Sequence, residues 1–276
     1  MPSSTVSSRL SAALVLVFFA TIGTANSPDD FRPTPEERLV EAGVVVSIPS
    51  LTTTLQDPSA APQLRYLSAI ALGRAKRIVV LETLHSALTD ANDEVRAGAV
   101  VGLRYLAAPA STELLREVAL KDPPASVRDA TVGALGQIGG ELAASTLVDM
   151  AAASSNSESL RINALFTVGR IARPAQREAL KALLKEPNLQ VRATVAIALA
   201  AAGGREAVPA LIDAIQDRSV PEWLREKTVR ELEKVTQRDF GYLGRHGKQL
   251  PRARRDAAVS GILQWWETNR TRYELQ

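Results

Sequence analysis

The chain has 276 residues, 46% of them hydrophobic but only 4% aromatic, so its apolar content is mostly Ala, Val, Leu and Ile; this is ample for a core and suits closely packed helices better than strands. The 33 basic and 30 acidic residues leave a formal charge of +3, without the basic stripe that nucleic-acid binding needs. No cysteine is present, which excludes disulfide staples, thiolate zinc sites, a cysteine nucleophile and a lipidated N-terminal cysteine.

Residues 1–25 begin with a positive Arg9, continue through an apolar run at 12–20 and end on the small residues Gly23, Thr24 and Ala25. This is the pattern of a Sec-type signal peptide, so an exported protein, periplasmic or secreted, is expected. The run falls short of the roughly 20 apolar residues that span a bilayer, and no later segment is a transmembrane candidate. Residues 26–34 form a short linker.

From residue 35 to 237 the chain repeats itself. Six arginines that follow Leu or Val, namely Arg65, Arg96, Arg128, Arg161, Arg192 and Arg225, are separated by 31, 32, 33, 31 and 33 residues. Seven residues after each stands Leu72, Leu103, Leu135, Val168, Leu199 or Leu232. With the apolar residue before each arginine and small residues three or four after it, these make the stripe of an amphipathic helix. A second periodic stretch lies before each later copy, at 78–89, 111–120, 142–152, 175–185 and 206–216. Turn residues punctuate them at Asp57-Pro58, Asp122-Pro123-Pro124, Glu186-Pro187-Asn188, Gly139-Gly140 and Gly203-Gly204. Each unit therefore reads helix, turn, helix, and successive pairs must stack to cover their apolar faces.

A turn with an acid followed by V-R-x-x-A-x-x-A-L-G, recurring at about 32 residues, resembles the HEAT family, in particular its short bacterial type first associated with phycobilisome lyases. The resemblance implies an all-α, right-handed, armadillo-like solenoid of about six helix pairs, with residues 238–276 as a capping segment. It also implies that the arginine column is structural, pairing with turn acids such as Asp90, Asp122 and Glu186. The fourth copy departs from the pattern, with Ser154, Ser155 and Ser157 in place of the acidic turn, so a looser joint is expected near the middle.

Positions one, five and nine after each arginine point away from the apolar stripe. The resemblance places the second helices on the concave side, making Tyr66, Ile70, Arg74, Val101, Tyr105, Ile162, Phe166, Arg170 and Ile197 the candidate partner-binding residues. An apolar strip edged by tyrosine and arginine has the composition of a peptide- or helix-binding groove. Lateral packing between neighbouring helices is the competing reading of the same strip.

After the last copy come Phe240-Gly241-Tyr242, a basic stretch from Arg245 to Arg255 and a helix with Trp265-Trp266. This resembles a tail found after HEAT repeats in exported bacterial proteins. A terminal repeat needs its flank covered, so Phe240, Tyr242, Trp265 and Trp266 are read as a cap. The basic stretch offers a weak contact for anionic envelope surfaces, beside its plainer reading as a solvated loop.

Enzyme motifs fail on context. Asp239-Phe240-Gly241 lacks the other kinase elements, Gly247-Lys248 lacks the glycine and hydroxyl of a phosphate loop, and Gly133, Gly136 and Gly139 follow no strand. Only His85 and His246 are present and neither precedes a glutamate, against the paired His-Glu iron ligands of deoxyhypusine hydroxylase, which shares the repeat. No catalytic residue, metal or cofactor is expected. The function expected is a non-catalytic scaffold or adaptor in the cell envelope that holds a protein or peptide on its concave face. The alternatives are a regulatory or assembly subunit of an exported enzyme complex and, remotely, a phycobilin-lyase-like activity.

Overall fold

The computed structural model describes residues 33–171, 174–244 and 249–274; the proposed signal peptide and most of the linker lie outside them. A lead helix α1 (Pro35–Glu41) opens the described chain. Its N-terminus is closed by a capping box, in which Thr34 Oγ1 accepts from Glu37 N–H and the Glu37 carboxylate accepts from Thr34 N–H.

Six antiparallel pairs follow. They are α2 (Ile48–Gln56) with α3 (Pro62–Arg74), α4 (Leu81–Ala87) with α5 (Asp93–Leu106), and α6 (Thr112–Lys121) with α7 (Ala125–Ile138). Then come α8 (Gly140–Ala152) with α9 (Glu158–Ile171), α10 (Arg177–Ala182) with α11 (Leu189–Ala201), and α12 (Val208–Gln216) with α13 (Glu222–Thr236). Short 3-10 turns lead into α4, α6, α10 and α12. Helix α14 (Arg252–Asn269) and the short α15 (Thr271–Glu274) close the chain. Among the described residues the only β-type pairing is an isolated bridge between Leu243 and Gln249.

Neighbouring second helices pack against each other all along the chain, so the architecture is an all-α solenoid. The residues seven after each arginine, Leu72, Leu103, Leu135, Val168, Leu199 and Leu232, are each fully buried between the layers. A positive φ, between 52° and 82°, recurs eleven residues after the arginine at Lys76, Ala107, Gly139 and Gly203, where each second helix is released into the next pair.

Glycines set the bend. A methyl built on Gly73 of α3 would overlap the Gly102 backbone of α5, one on Gly98 would meet Tyr66 Cα at 2.9 Å, and one on Gly136 would strike the Thr167 methyl. One on Gly169 would lie 3.6 Å from Ala198 Cα. The residue eight after one arginine thus rests on the residue six after the next, and second-helix backbones nearly touch. Such contact places the second helices on the inside of the curve. At the ends α1 extends this inner layer by packing on α3, and α14 extends the outer layer by packing on α12.

Candidate functional site: the inner face and its arginine joints

The arginine column stitches the turns together. Arg65 donates its fork to Asp90 and its Nε–H to the Leu55 carbonyl at 2.9 Å. Arg96 grips Asp122 at 2.7 and 2.9 Å, and Arg161 grips Glu186 while donating to the Ala151 carbonyl at 2.7 Å. The next arginine then takes the backbone of the same turn: Arg96 donates to the Asp90 carbonyl, Arg128 to that of Asp122 and Arg192 to that of Glu186. Fork hydrogen bonding holds the Glu186 carboxyl below the usual carboxylate range.

The column is not paired throughout: among the described residues Arg192 donates only to the Glu186 and Pro187 carbonyls and makes no ion pair with Asp217, and at one joint the acid itself is absent. The acid stands 25 or 26 residues after its arginine at Asp90, Asp122 and Glu186. For Arg128 the equivalent position is Ala153, which caps the C-terminus of α8 as Asp122 caps α6. Arg128 serves its own turn through two carbonyls, but its Nε is buried without a partner. The irregular fourth turn of the sequence is thus a joint missing its ion pair.

The strip chosen from sequence is not one continuous groove. Ile70 and Ile197, each 6% exposed, are wedged between neighbouring helices, which corrects their assignment as partner-binding residues. The cause is the glycine-driven closeness of the second helices, which seals the column five after the arginine wherever the next helix is near. Tyr66, Val101, Ile162 and Phe166 of that strip are half-buried. The column nine after the arginine is exposed in every pair, at Arg74, Tyr105, Gln137, Arg170, Ala201 and Lys234. Arg74 is already engaged, with Nε 2.9 Å from a Glu36 carboxylate oxygen and its guanidinium 5.7 Å from the Tyr105 ring centroid.

The most exposed aromatic on this face was not among the sequence candidates. Trp223, at the start of α13 and 47% exposed, places its ring 6.0 Å from Phe166 of α9, although α11 stands between the two helices. Lys227 Nζ lies 5.0 Å from the Phe166 centroid. On α7 the column lacks a side chain at Gly133, and the Arg104 guanidinium of α5 lies over the space, with Nη1 3.5 Å from a methyl built there. Arg104 and Arg170 have no ion-pair partner among the described residues, whereas Glu226 accepts from Arg230 at 2.8 Å and Asp129 from Asn163 at 2.8 Å. The bare Gly133 beside Arg104 was the one sequence signal for this arrangement.

At the C-terminus Phe240, Trp265, Trp266 and Tyr273 form one ring cluster, with Phe240 edge-on to Trp265 at 5.3 Å. Tyr242 is fully buried and donates to Glu222 at 2.6 Å, and the same carboxylate oxygen takes Arg255 Nε at 3.0 Å. Burial and the Glu222 contact push the Tyr242 phenol up to about 12. The basic stretch is therefore not a loop to Arg255, because Arg252, Arg254 and Arg255 form the first turn of α14 and Arg255 faces inward; residues 245–248, His246 among them, lie outside the described residues. His85 of α4 shares a 2.9 Å hydrogen bond with the fully buried Ser111. Among the described residues no group of three or more His, Asp and Glu is placed to hold a metal, and no helix is long and apolar enough to cross a membrane.

These features define a helix-pair repeat protein whose pairs are joined by arginine-acid links. Residues 81–158 and 150–233 match the HEAT-repeat family, more than half of the chain, and the protein belongs to that family. Among solved structures it is similar to the complex of CpcE and CpcF of phycocyanin lyase from Nostoc sp. PCC7120, at 17% identity over 88% of this chain and 93% of that chain, with a TM-score of 0.53. It is also similar to a designed armadillo repeat protein, at 19% identity over 68% of this chain and 100% of that one, with a TM-score of 0.46. Human deoxyhypusine hydroxylase aligns at 23% identity over 86% and 93%, with a TM-score of 0.38. At 17% identity the likeness to the phycocyanin lyase complex is one of fold. No curated protein sequence matches the chain.

Proposed function

We propose that this protein is an exported, non-catalytic scaffold of the cell envelope that holds a protein or peptide on the inner face of its solenoid. One observation carries the reading: the inner face keeps a column exposed through all six pairs, with Tyr105 in it at 42% exposure and Trp223 on the same face at 47%. Aromatic and arginine side chains on a rigid concave support are what protein recognition uses. A hydrolytic role lacks a reachable nucleophile at His85, since its partner Ser111 is sealed. The signal-peptide pattern of residues 1–25 supports export.

The test is a photo-crosslinking amino acid placed at Gln137 or Ala201 on the inner face, and at Glu117 or Lys185 on exposed positions outside it, in cells expressing the tagged protein. A defined crosslinked product from the inner positions alone is expected, in the envelope fraction. Products from the outer positions alone, or full-length protein recovered only from the cytoplasm, would overturn the corresponding half of the proposal.

A further inference from the structure

Resting on that reading, we infer that the inner face takes an acidic peptide in extended form, which sets a carboxylate on Arg104 and a large apolar side chain on the Phe166–Trp223 pair about three residues away. The chemistry follows from which cations are free. Glu226 is paired with Arg230 and Asp129 keeps its charge beside the neutral Asn163, while Arg104 and Arg170 have no ion-pair partner among the described residues and Lys227 lies on the Phe166 ring, so cations outnumber the one unpaired acid. The unspent charge of the central face is positive, and a carboxylate-bearing ligand complements it.

The spacing follows from the layer. The Arg104 head lies over Gly133 on α7, and Phe166 stands on α9, the next inner helix. Packed helices lie about 8–10 Å apart, and an extended chain advances about 3.3 Å per residue, so one helix step takes about three residues. Arg170, one turn beyond Phe166 on the same face of α9, can receive a second carboxylate. Trp223, with half its surface open beside the Phe166 ring, is the anchor. A nucleic acid fits poorly, because three dispersed cations are too few to neutralise a run of phosphates. The face is concave, which excludes a flat bilayer.

The test uses the full-length protein and short fluorescein-labelled peptides with one glutamate and one leucine, set one to six residues apart in either order, read by fluorescence polarisation. The separation of three is expected to bind best, by about tenfold over the others. The Trp223→Ala variant should lose about tenfold, and Arg104→Glu should lose about tenfold for glutamate peptides while gaining affinity for the lysine-for-glutamate set. Lys121→Glu on the outer layer should change nothing. Equal binding of lysine and glutamate peptides by the unmodified protein, or an unchanged charge preference in Arg104→Glu, overturns the inference. If no peptide of either charge binds while crosslinks from Gln137 and Ala201 still form, this inference falls and the scaffold reading stands; if those crosslinks fail too, both fall.

Discussion

Replacing Ala153 with aspartate should strengthen the solenoid at its fourth turn. Ala153 has φ −69° and ψ 105°, near the paired acids Asp122 at −64° and 127° and Glu186 at −56° and 127°, so the new carboxylate would leave the backbone as those do. The paired acids Asp90 and Glu186 each also accept from the N–H two residues on, at 2.9 and 3.4 Å, and Ser155 stands in that place after Ala153. The buried Arg128 Nε has no partner, whereas Arg96 gives its Nε–H to Asp122. A charged hydrogen bond contributes about 1.5–3 kcal/mol when buried, and the half-buried setting of Arg128 discounts this to about 1–2 kcal/mol. For a chain of this size that is a melting shift of roughly 2–6 °C. Thermal unfolding is the assay, with hydrogen exchange at α7 and α8 to localise the gain, and Arg128→Met as the background that should abolish it. An ion-paired aspartate has a lowered folded pKa, so the gain holds above its unfolded value near ~3.9 and fades as pH falls through the folded one. Equal stabilisation in the Arg128→Met background, or none in the native one, would refute the joint as described.

Other outcomes follow from the same contacts. Gly73→Ala drives a methyl into the Gly102 backbone and should cost about 3 kcal/mol or more in denaturant unfolding, whereas Gly261→Ala, with open space on α14, should gain about 0.5–1 kcal/mol. Ala107→Gly relieves a left-handed alanine at φ 52° and should raise stability by about 0.5–1 kcal/mol, read as a shift in denaturation midpoint. Because the folded state raises the Tyr242 phenol to about 12, its contribution is complete below the ordinary tyrosine value near ~10 and is lost as pH rises through 12. Phenolate absorbance of the folded protein should show a late phase that Tyr242→Phe removes.

The repeat, its helix pairs and its buried column were legible because each is written locally. Arginine, an apolar residue seven later and a turn acid follow one another within a few turns of helix, and the 3.6-residue period assigns their faces without any partner. The gap at Ala153 was visible as an irregular turn, though not as the lost partner of an arginine 25 residues earlier, since a sequence spacing does not say which guanidinium reaches which carboxylate.

Tertiary structure alone decided what the inner face exposes. Ile70 and Phe166 hold the same repeat position, yet one is sealed and the other is only half-buried, beside Trp223. The difference comes from how closely the next helix approaches, which Gly73, Gly98 and Gly102 set on α3 and α5 and the alanines of α11 set further along. Periodicity fixes the direction in which a side chain leaves its helix; the curvature of the stacked layer, a sum over many backbone contacts, determines whether anything stands in its way.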